Sequence, residues 1–150
     1  EGDISVSVFD PKNESITSIL IPGSTELDAA RQLGTWRAKS VWQLGINEDL
    51  GGKLLAESIT KNFNFPIITW GNTNLMGLAE GEVLGIVRAI FLPGGTNLKI
   101  GDRFALGLFS LGIKNTKRSN INLAETSYLV KTTLKDGEEG YVVSKNFSQK

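Results

Sequence analysis

The chain has 150 residues, 16 basic and 16 acidic side chains, 40% hydrophobic residues, and neither histidine nor cysteine. Without cysteine there is no disulfide, no thiolate nucleophile and no iron-sulfur ligation. Without histidine there is no Ser-His-Asp relay and no imidazole ligand for a metal. Any catalysis must therefore use carboxylates, lysine, arginine, tyrosine, hydroxyl groups, backbone amides or a hard cation held by oxygen.

The length is typical of one domain, which buries roughly 68–70% of the surface of its unfolded chain. We therefore expect a single domain over residues 1–150. The zero net charge argues against nucleic acid as a partner, because binding to it depends on accumulated positive charge. The chain enters a strand pattern directly after Glu1-Gly2-Asp3, so we expect a fragment of a longer polypeptide, with any membrane anchor in a segment outside this chain.

The first 22 residues predict a β-hairpin. Ile4, Val6 and Val8 alternate with serines, the segment 10–14 supplies turn residues, and a second β-rich run follows at 16–21. The second run ends in consecutive apolar residues, a pattern typical of a strand that is buried on both faces.

Further along the chain, helical patterns alternate with short strand patterns. We expect helices at 24–30, at 51–62 with Asp49 as cap, at 75–92, at 102–114 with Asp102 as cap, and at 123–134. Strands are expected at 65–70 and 141–143. The segment 34–47 is expected to form a loop or short helical segments, and 115–122 is expected to be a polar linker. This alternation indicates an α/β fold with a central mixed β-sheet and helices on both faces.

Arginine is scarce, and each arginine is a candidate anion ligand because a guanidinium group binds two phosphate oxygens in a fixed fork. The five are Arg31, Arg37, Arg88, Arg103 and Arg118. Arg88 lies in an otherwise apolar helical stretch, where an unpaired charge is costly. It is either an anion ligand or an end-of-helix residue whose head reaches solvent. Asp102 and Arg103 are likewise either a helix cap with a solvated neighbour or part of an anion site.

Other constellations carry less information. Phosphate-loop and dinucleotide-binding glycine patterns are absent. The acidic pairs Glu80/Glu82 and Glu138/Glu139 are placed for a solvated surface rather than for glycoside hydrolysis. The three tryptophans, at 36, 42 and 70, either stack a sugar ring or pack in the core.

The order of features resembles the LytR-CpsA-Psr domain of bacterial cell envelopes. The resemblance covers residues 3–75 and rests on the hairpin with its Asp10-Pro11-Lys12 turn, the run ending Ile21-Pro22, the Gly-Gly before a helix, and the segment from Phe65 to Trp70. It implies an extracytoplasmic α/β/α domain behind an N-terminal membrane helix. It also implies that a polyprenyl chain is buried, that arginines and Mg²⁺ hold the pyrophosphate, and that glycopolymers are transferred from the lipid carrier to peptidoglycan.

The sequence departs from this family where the resemblance implies Arg-Asp after Ile-Pro, because Gly23-Ser24 stands there. Two hypotheses follow. The first is a divergent LytR-CpsA-Psr-like envelope domain that binds a polyprenyl-pyrophosphate-linked glycan or a similar anion, with Arg37, Arg88 and Arg103 as anion ligands and Asp102 as a cation ligand or arginine partner. The second is a non-catalytic structural or interaction module that retains the fold.

Overall fold

In the computed structural model, residues 2–144 are described, and strands and helices alternate along them. The strands are β1 (Ile4–Asp10), β2 (Ser15–Ile21), β3 (Thr25–Asp28), β4 (Thr35–Arg37), β5 (Arg118–Asn122), β6 (Leu129–Thr133) and β7 (Glu139–Val143). The helices are α1 (Ala38–Asn47), α2 (Lys53–Phe63), α3 (Gly77–Glu80), α4 (Val83–Phe91) and α5 (Ile100–Leu111). The α/β class is confirmed, and the strands form two sheets, in the orders β1-β2-β5 and β4-β3-β7-β6.

The chain divides into two compact units. The first unit contains the N-terminal residues as far as Ile4, the segment Leu20–Ile68 and the residues from Asn122 onward. The second unit contains Ser5–Ile19 and Thr69–Ile121. Each unit is thus assembled from separate stretches of sequence, and the single domain over residues 1–150 stays a prediction.

The first unit is built around strand β3. This strand pairs antiparallel with β4 and parallel with β7, which in turn pairs antiparallel with β6. Helices α1 and α2 pack against β3 and against each other. The apolar side chains buried in this unit include Ile21, Leu27, Val41, Leu44, Leu54, Ile59 and Phe63.

Strand pairing accounts for two wrong predictions in the first unit. The segment 24–30, predicted as a helix, contains β3, because Thr25 and Glu26 pair with residues of β7. The segment 123–134, also predicted as a helix, contains β6, whose valine and threonine residues favour a strand once β7 lies beside them. The segment 34–47, for which a loop or short helical segments were the alternatives, contains helix α1, which confirms the helical alternative, and the short strand β4, which was not predicted.

Helix α2 confirms the helix predicted at 51–62, although Gly52 rather than Asp49 occupies the N-cap position. The strand predicted at 65–70 is wrong. Residue 66 is a proline without an N–H to donate to a sheet. The N–H of Ile67 donates to Thr60 Oγ1 (3.0 Å), which ties this segment to the end of α2. Ile68 is 81% exposed.

The hairpin predicted at the N-terminus is confirmed by β1 and β2, which are neighbours in one sheet. In its turn, both carboxylate oxygens of Asp10 accept hydrogen bonds from Asn13. Within β2, Ile16 and Ile21 are buried while the residues between them are partly exposed. The expectation of a strand covered on both faces is therefore wrong.

The second unit has its apolar core between α3, α4 and α5. Leu78, Ile86, Ala89 and Ile90 form a buried cluster, against which Phe9, Leu75, Leu98 and Leu106 pack. A second cluster contains Ile16, Ala79 and Ile113, with Phe9 and Phe109 in edge-to-face contact beside it.

The single helix predicted at 75–92 is interrupted between α3 and α4, where Gly81 has φ +79°. A left-handed backbone ends a helix and is accessible to glycine without a steric penalty. A Cβ at this position would also collide with the guanidinium group of Arg118. Arg118 begins β5, inside the stretch 115–122 that was predicted as a linker.

The Arg118 guanidinium joins the C-terminal ends of two helices. Nη1 donates to the carbonyl oxygen of Ala79 in α3 (2.6 Å) and to Ser110 Oγ in α5 (3.3 Å). Nη2 donates to the carbonyl oxygens of Ser110 and Ile113. Terminal helix carbonyls lack partners within their own helix, and a cation beside them is favourable.

We predict that Arg118→Ala lowers the free energy of unfolding by about 3 kcal/mol, because it leaves partly buried carbonyl groups without their donor. Urea denaturation measures this loss. The matched control is Arg31→Ala, which removes a bidentate but exposed ion pair with Glu57 (2.9 and 3.0 Å) and should cost clearly less, because water screens an exposed pair. Equal losses in the two variants would contradict the role assigned to Arg118.

Candidate functional site

Helices α4 and α5 present a continuous row of exposed apolar side chains, which we call the α4–α5 face. Its members recur at helical spacing, and the most exposed are Leu84 (78%) and Leu108 (68%). The face consists of Val83, Leu84, Val87 and Phe91 on α4 and Ile100, Phe104, Leu108 and Leu111 on α5. A contiguous apolar patch on a protein surface usually marks a binding site for a partner, a ligand or a membrane.

Close packing of the two helices makes the face continuous. Gly107 of α5 lies against α4, where a Cβ would fall 2.7 Å from Ile86 Cγ2 and 3.3 Å from Ile90 Cδ1. At the outer surface, the rings of Phe91 and Phe104 meet edge-to-face with centroids 5.8 Å apart. The helices are therefore antiparallel, and their apolar rows lie side by side.

Arg88 lies at the border of this face. It follows Leu84 by four residues and precedes Phe91 by three, so the three side chains are neighbours on one side of α4. Its side chain is exposed, and within the described part of the chain it has neither an ion pair nor a hydrogen-bond acceptor. An unpaired guanidinium beside an apolar surface suits an amphiphile with an anionic head.

Arg103, the second predicted anion ligand, binds the protein's own backbone. Its Nε donates to the carbonyl oxygen of Ile90 (3.0 Å) at the end of α4, and its Nη1 donates to the carbonyl oxygen of Leu98 (2.5 Å). These bonds hold the segment between α4 and α5 and occupy two of the donor groups that a phosphate would use.

Asp102 is exposed in the first turn of α5. The predicted capping role is wrong, because the N-cap residue is Lys99 and Asp102 is the third residue of the helix. A carboxylate in a first turn is favoured by the positive end of the helix dipole. Its predicted role as a cation ligand stays a prediction.

Arg37, the remaining predicted ligand, lies on β4 in the first unit. Its Nη2 donates to Asp136 Oδ2 (2.6 Å) and lies 3.6 Å from Glu138 Oε2, and its side chain is 15% exposed. The hydrogen bond from Arg37 lowers the pKa of Asp136, and the same bond raises the pKa of Arg37. Two carboxylates therefore already balance the charge of Arg37.

A shallow cavity of about 270 Å³ adjoins this ion pair. Its lining residues are Glu26, Thr35, Trp36, Arg37, Leu134, Lys135 and Asp136. Acidic and basic groups are equal in number among these residues, and the predicted role of Arg37 as an anion ligand stays a prediction.

Residue 23, where the resemblance implies an arginine, has no space for a side chain. The amide of Gly23 donates to Asp3 Oδ1 (2.8 Å), and a Cβ on Gly23 would lie 2.7 Å from the carbonyl oxygen of Gly2. An arginine at position 23 would therefore require the adjacent backbone to move.

The carboxylates of the described residues form no cluster of three. Among residues 2–144, no three aspartate or glutamate side chains come together in a way that could hold a metal. One oxygen of Asp3, the acid beside Gly23, accepts a hydrogen bond from an amide. Mg²⁺ is usually held by one or two carboxylates together with substrate phosphates, so the Mg²⁺ that the resemblance implies stays a prediction.

The fold is shared with solved structures of the LytR-CPS2A-psr proteins. TagV of B. subtilis superposes with a TM-score of 0.64 at 12% identity, over 99% of this chain and 85% of that one. TagT of B. subtilis gives a TM-score of 0.62 at 11% identity, over 99% and 81%. The LytR-CPS2A-psr family protein YwtF (TagT) with bound octaprenyl pyrophosphate lipid gives 0.63 at 11%, over 98% and 80%.

The protein thus has the LytR-CPS2A-psr fold, and the resemblance first noted in the N-terminal half is confirmed as a likeness of fold over nearly the whole chain. No family model matches the sequence, and no curated protein matches it by sequence. No helix in the described residues is long and apolar enough to cross a membrane.

The ion pair of Arg37 predicts a contribution to acid sensitivity. Because the pKa of Asp136 is lowered in the folded protein, its stabilising effect is present above the unfolded pKa and is lost as the pH falls through the folded pKa. We expect the free energy of unfolding to fall less steeply between about pH 5 and pH 2 in Asp136→Asn than in the wild type.

Denaturant titrations at several pH values measure these slopes. Arg37→Gln should flatten the slope in the same direction, because it removes the other partner of the pair. Unchanged slopes in both variants would contradict the coupling between Arg37 and Asp136.

Proposed function

We propose that this protein is a cell-envelope domain that binds a polyprenyl-phosphate-type carrier lipid, with or without its attached glycan, at the α4–α5 face. The observation that carries the proposal is the combination of an exposed apolar face with the unpaired Arg88 at its border. The isoprenoid chain would cover the apolar side chains, and the guanidinium would meet the phosphate.

Burial of the α4–α5 face supplies the affinity for the isoprenoid chain of the lipid. Fully covering one leucine, isoleucine or phenylalanine side chain is worth roughly 1.5–3 kcal/mol. Several such side chains of the face are about half exposed or more. A charge-assisted hydrogen bond from Arg88 to a phosphate adds roughly 1.5–3 kcal/mol and fixes which end of the lipid lies at α4.

The solved relatives support this choice of ligand. One of them, which shares the fold with a TM-score of 0.63, contains octaprenyl pyrophosphate. We propose the same class of isoprenoid ligand for this chain, since its own exposed residues offer an apolar face and a cation.

A second candidate function, a non-catalytic module that keeps the fold, is favoured by residue 23. Gly23 replaces the arginine that the resemblance implies, and its surroundings leave no space for a side chain. Transfer of glycopolymer from the lipid carrier to peptidoglycan by the full-length protein distinguishes the two. Turnover supports an enzyme, and lipid binding without turnover supports a binding module.

We predict that the α4–α5 face is required for lipid binding. The measurement is binding of octaprenyl pyrophosphate in detergent micelles, with and without Mg²⁺. Leu84→Glu should weaken this binding about tenfold or more, because a carboxylate then lies where the isoprenoid chain packs. Arg88→Gln should weaken it about 10- to 100-fold, through loss of a charge-assisted bond.

The matched controls lie in the first unit. Ile46→Glu introduces the same charge on an exposed isoleucine of α1, and Arg31→Gln removes an exposed arginine. Both controls should bind as the wild type does. If Leu84→Glu and Arg88→Gln also bind like the wild type, the face is not the lipid site.

We also propose that the domain is extracytoplasmic and is anchored by a segment outside this chain. A reporter enzyme that is active only outside the cytoplasm, fused to the C-terminus of the full-length protein, should be active. Activity of a cytoplasm-dependent reporter at the same position would overturn this placement.

A further inference from the structure

The helical hairpin formed by α4 and α5 ends in a tip that is apolar apart from one lysine. This hairpin tip consists of Phe91 and Leu92 at the end of α4 and of Lys99, Ile100 and Phe104 at the start of α5, all of them exposed. Going beyond the proposed function, we infer that the hairpin tip docks on the surface of an anionic phospholipid bilayer. The partner is the bilayer itself, and the contact needs no carrier lipid.

The apolar side chains of the hairpin tip are exposed in more than one direction. Leu92 is 67% exposed, Phe91 is 59% exposed and Ile100 is 52% exposed. Phe91 and Leu92 are consecutive at the end of α4, so their side chains cannot share one face of the helix. A bilayer surrounds side chains that point in different directions, whereas a protein partner would need a matching hollow for each of them.

Contacts within the second unit hold the hairpin tip in place. Asn74 Nδ2 donates a hydrogen bond to the carbonyl oxygen of Leu92 (3.1 Å), and the rings of Phe91 and Phe104 are in edge-to-face contact. The Arg103 side chain donates to carbonyl oxygens at both ends of the connection between α4 and α5. The apolar side chains are thus presented to solvent by a bonded backbone, and docking requires little ordering of the chain.

Positive charge accompanies the exposed apolar side chains. The chain as a whole has no net charge, but residues 83–104 carry three basic side chains and a single carboxylate. The basic residues include Lys99, which lies in the tip itself and is exposed. Lysine and arginine beside exposed leucine, isoleucine and phenylalanine are the combination that binds the interface of an anionic membrane.

The nearest run of negative charge lies at the other end of α4. Glu80 and Glu82 precede Val83, whereas the tip follows Phe91, about 13 Å further along the helix. This distance exceeds the Debye length of about 8 Å at physiological ionic strength, so these two carboxylates oppose docking of the tip only weakly.

A second copy of the chain fits the hairpin tip less well than an anionic bilayer does. In a two-fold symmetric dimer through the tip, Lys99 and Arg88 of one copy would lie close to the same residues of the other. Like charges across an interface are unfavourable, whereas anionic headgroups complement both side chains.

Binding of the 150-residue chain to vesicles that contain no carrier lipid tests the inference. We expect vesicles with phosphatidylglycerol to be bound about tenfold or more tightly than vesicles of phosphatidylcholine alone, and high salt should reduce the difference. Leu92→Glu should weaken binding to the anionic vesicles about tenfold or more, because a carboxylate then enters the interface. Lys99→Gln should weaken it about fivefold and leave binding to phosphatidylcholine unchanged.

The matched controls are Ile46→Glu and Lys53→Gln, which change an exposed isoleucine and an exposed lysine of the first unit. Both controls should bind vesicles as the wild type does. Equal binding of the two kinds of vesicle overturns the inference, as does wild-type binding by Leu92→Glu. A wild-type dimer that ignores vesicles and becomes a monomer in Leu92→Glu shows that a second copy covers the tip, and it also overturns the inference.

Binding of octaprenyl pyrophosphate in micelles separates this inference from the proposed function. Leu92 and Lys99 are not members of the α4–α5 face, so both tip variants should bind this lipid as the wild type does. A wild type that binds the micellar lipid but not anionic vesicles overturns the membrane docking alone. A wild type that binds anionic vesicles but not the micellar lipid overturns the proposed function alone.

Discussion

The second unit depends on the guanidinium group of Arg118. It donates hydrogen bonds to terminal carbonyl oxygens of both α3 and α5. It lies beside Gly81, where a side chain would collide with the guanidinium group. The left-handed backbone at Gly81 ends α3, so α4 starts again as a separate helix at Val83. That break lets α4 lie alongside α5 with Phe91 against Phe104, and the exposed apolar face results from it.

The arginines of this chain differ in what they bind, and the acceptors near each guanidinium group decide the difference. Arg103 and Arg118 lie where helices end, and free carbonyl oxygens take their donors. Arg37 lies opposite a turn that carries two carboxylates. Arg88 is in the last turn of α4, exposed, with the apolar side chains of Leu84 and Phe91 beside it. It fits the end-of-helix residue that the sequence offers as one alternative, and its role as an anion ligand stays a proposal.

From the sequence alone, the elements that can be predicted are those that depend on local patterns of residues. The N-terminal hairpin and α2 follow from alternation, turn residues and helical spacing, and they are confirmed. Strand β6 was missed because its pattern also fits a helix, and its partner β7 decides the outcome. Arg88 stood out as a charge within an apolar stretch. That Arg88, among the described residues, has no ion pair and no hydrogen-bond acceptor could not be predicted. This difference from the other four arginines depends on which acceptors the fold brings close to each arginine. Nothing local to Arg118 indicated that it binds two helix ends.

Binding of a carrier lipid and catalysis on it have different requirements. A single guanidinium can hold and orient one phosphate. Phosphoryl transfer needs charge stabilisation at the transferring group together with positioned attacking and leaving oxygens, commonly with metal ions. With no histidine or cysteine in the chain, those groups would have to come from carboxylates, arginine, lysine, tyrosine, hydroxyl groups, backbone amides or a hard cation. Among the described residues no three carboxylates come together as a metal site, and position 23 has no space for an arginine. Lipid binding as we propose it needs neither feature, because it uses only the α4–α5 face and Arg88.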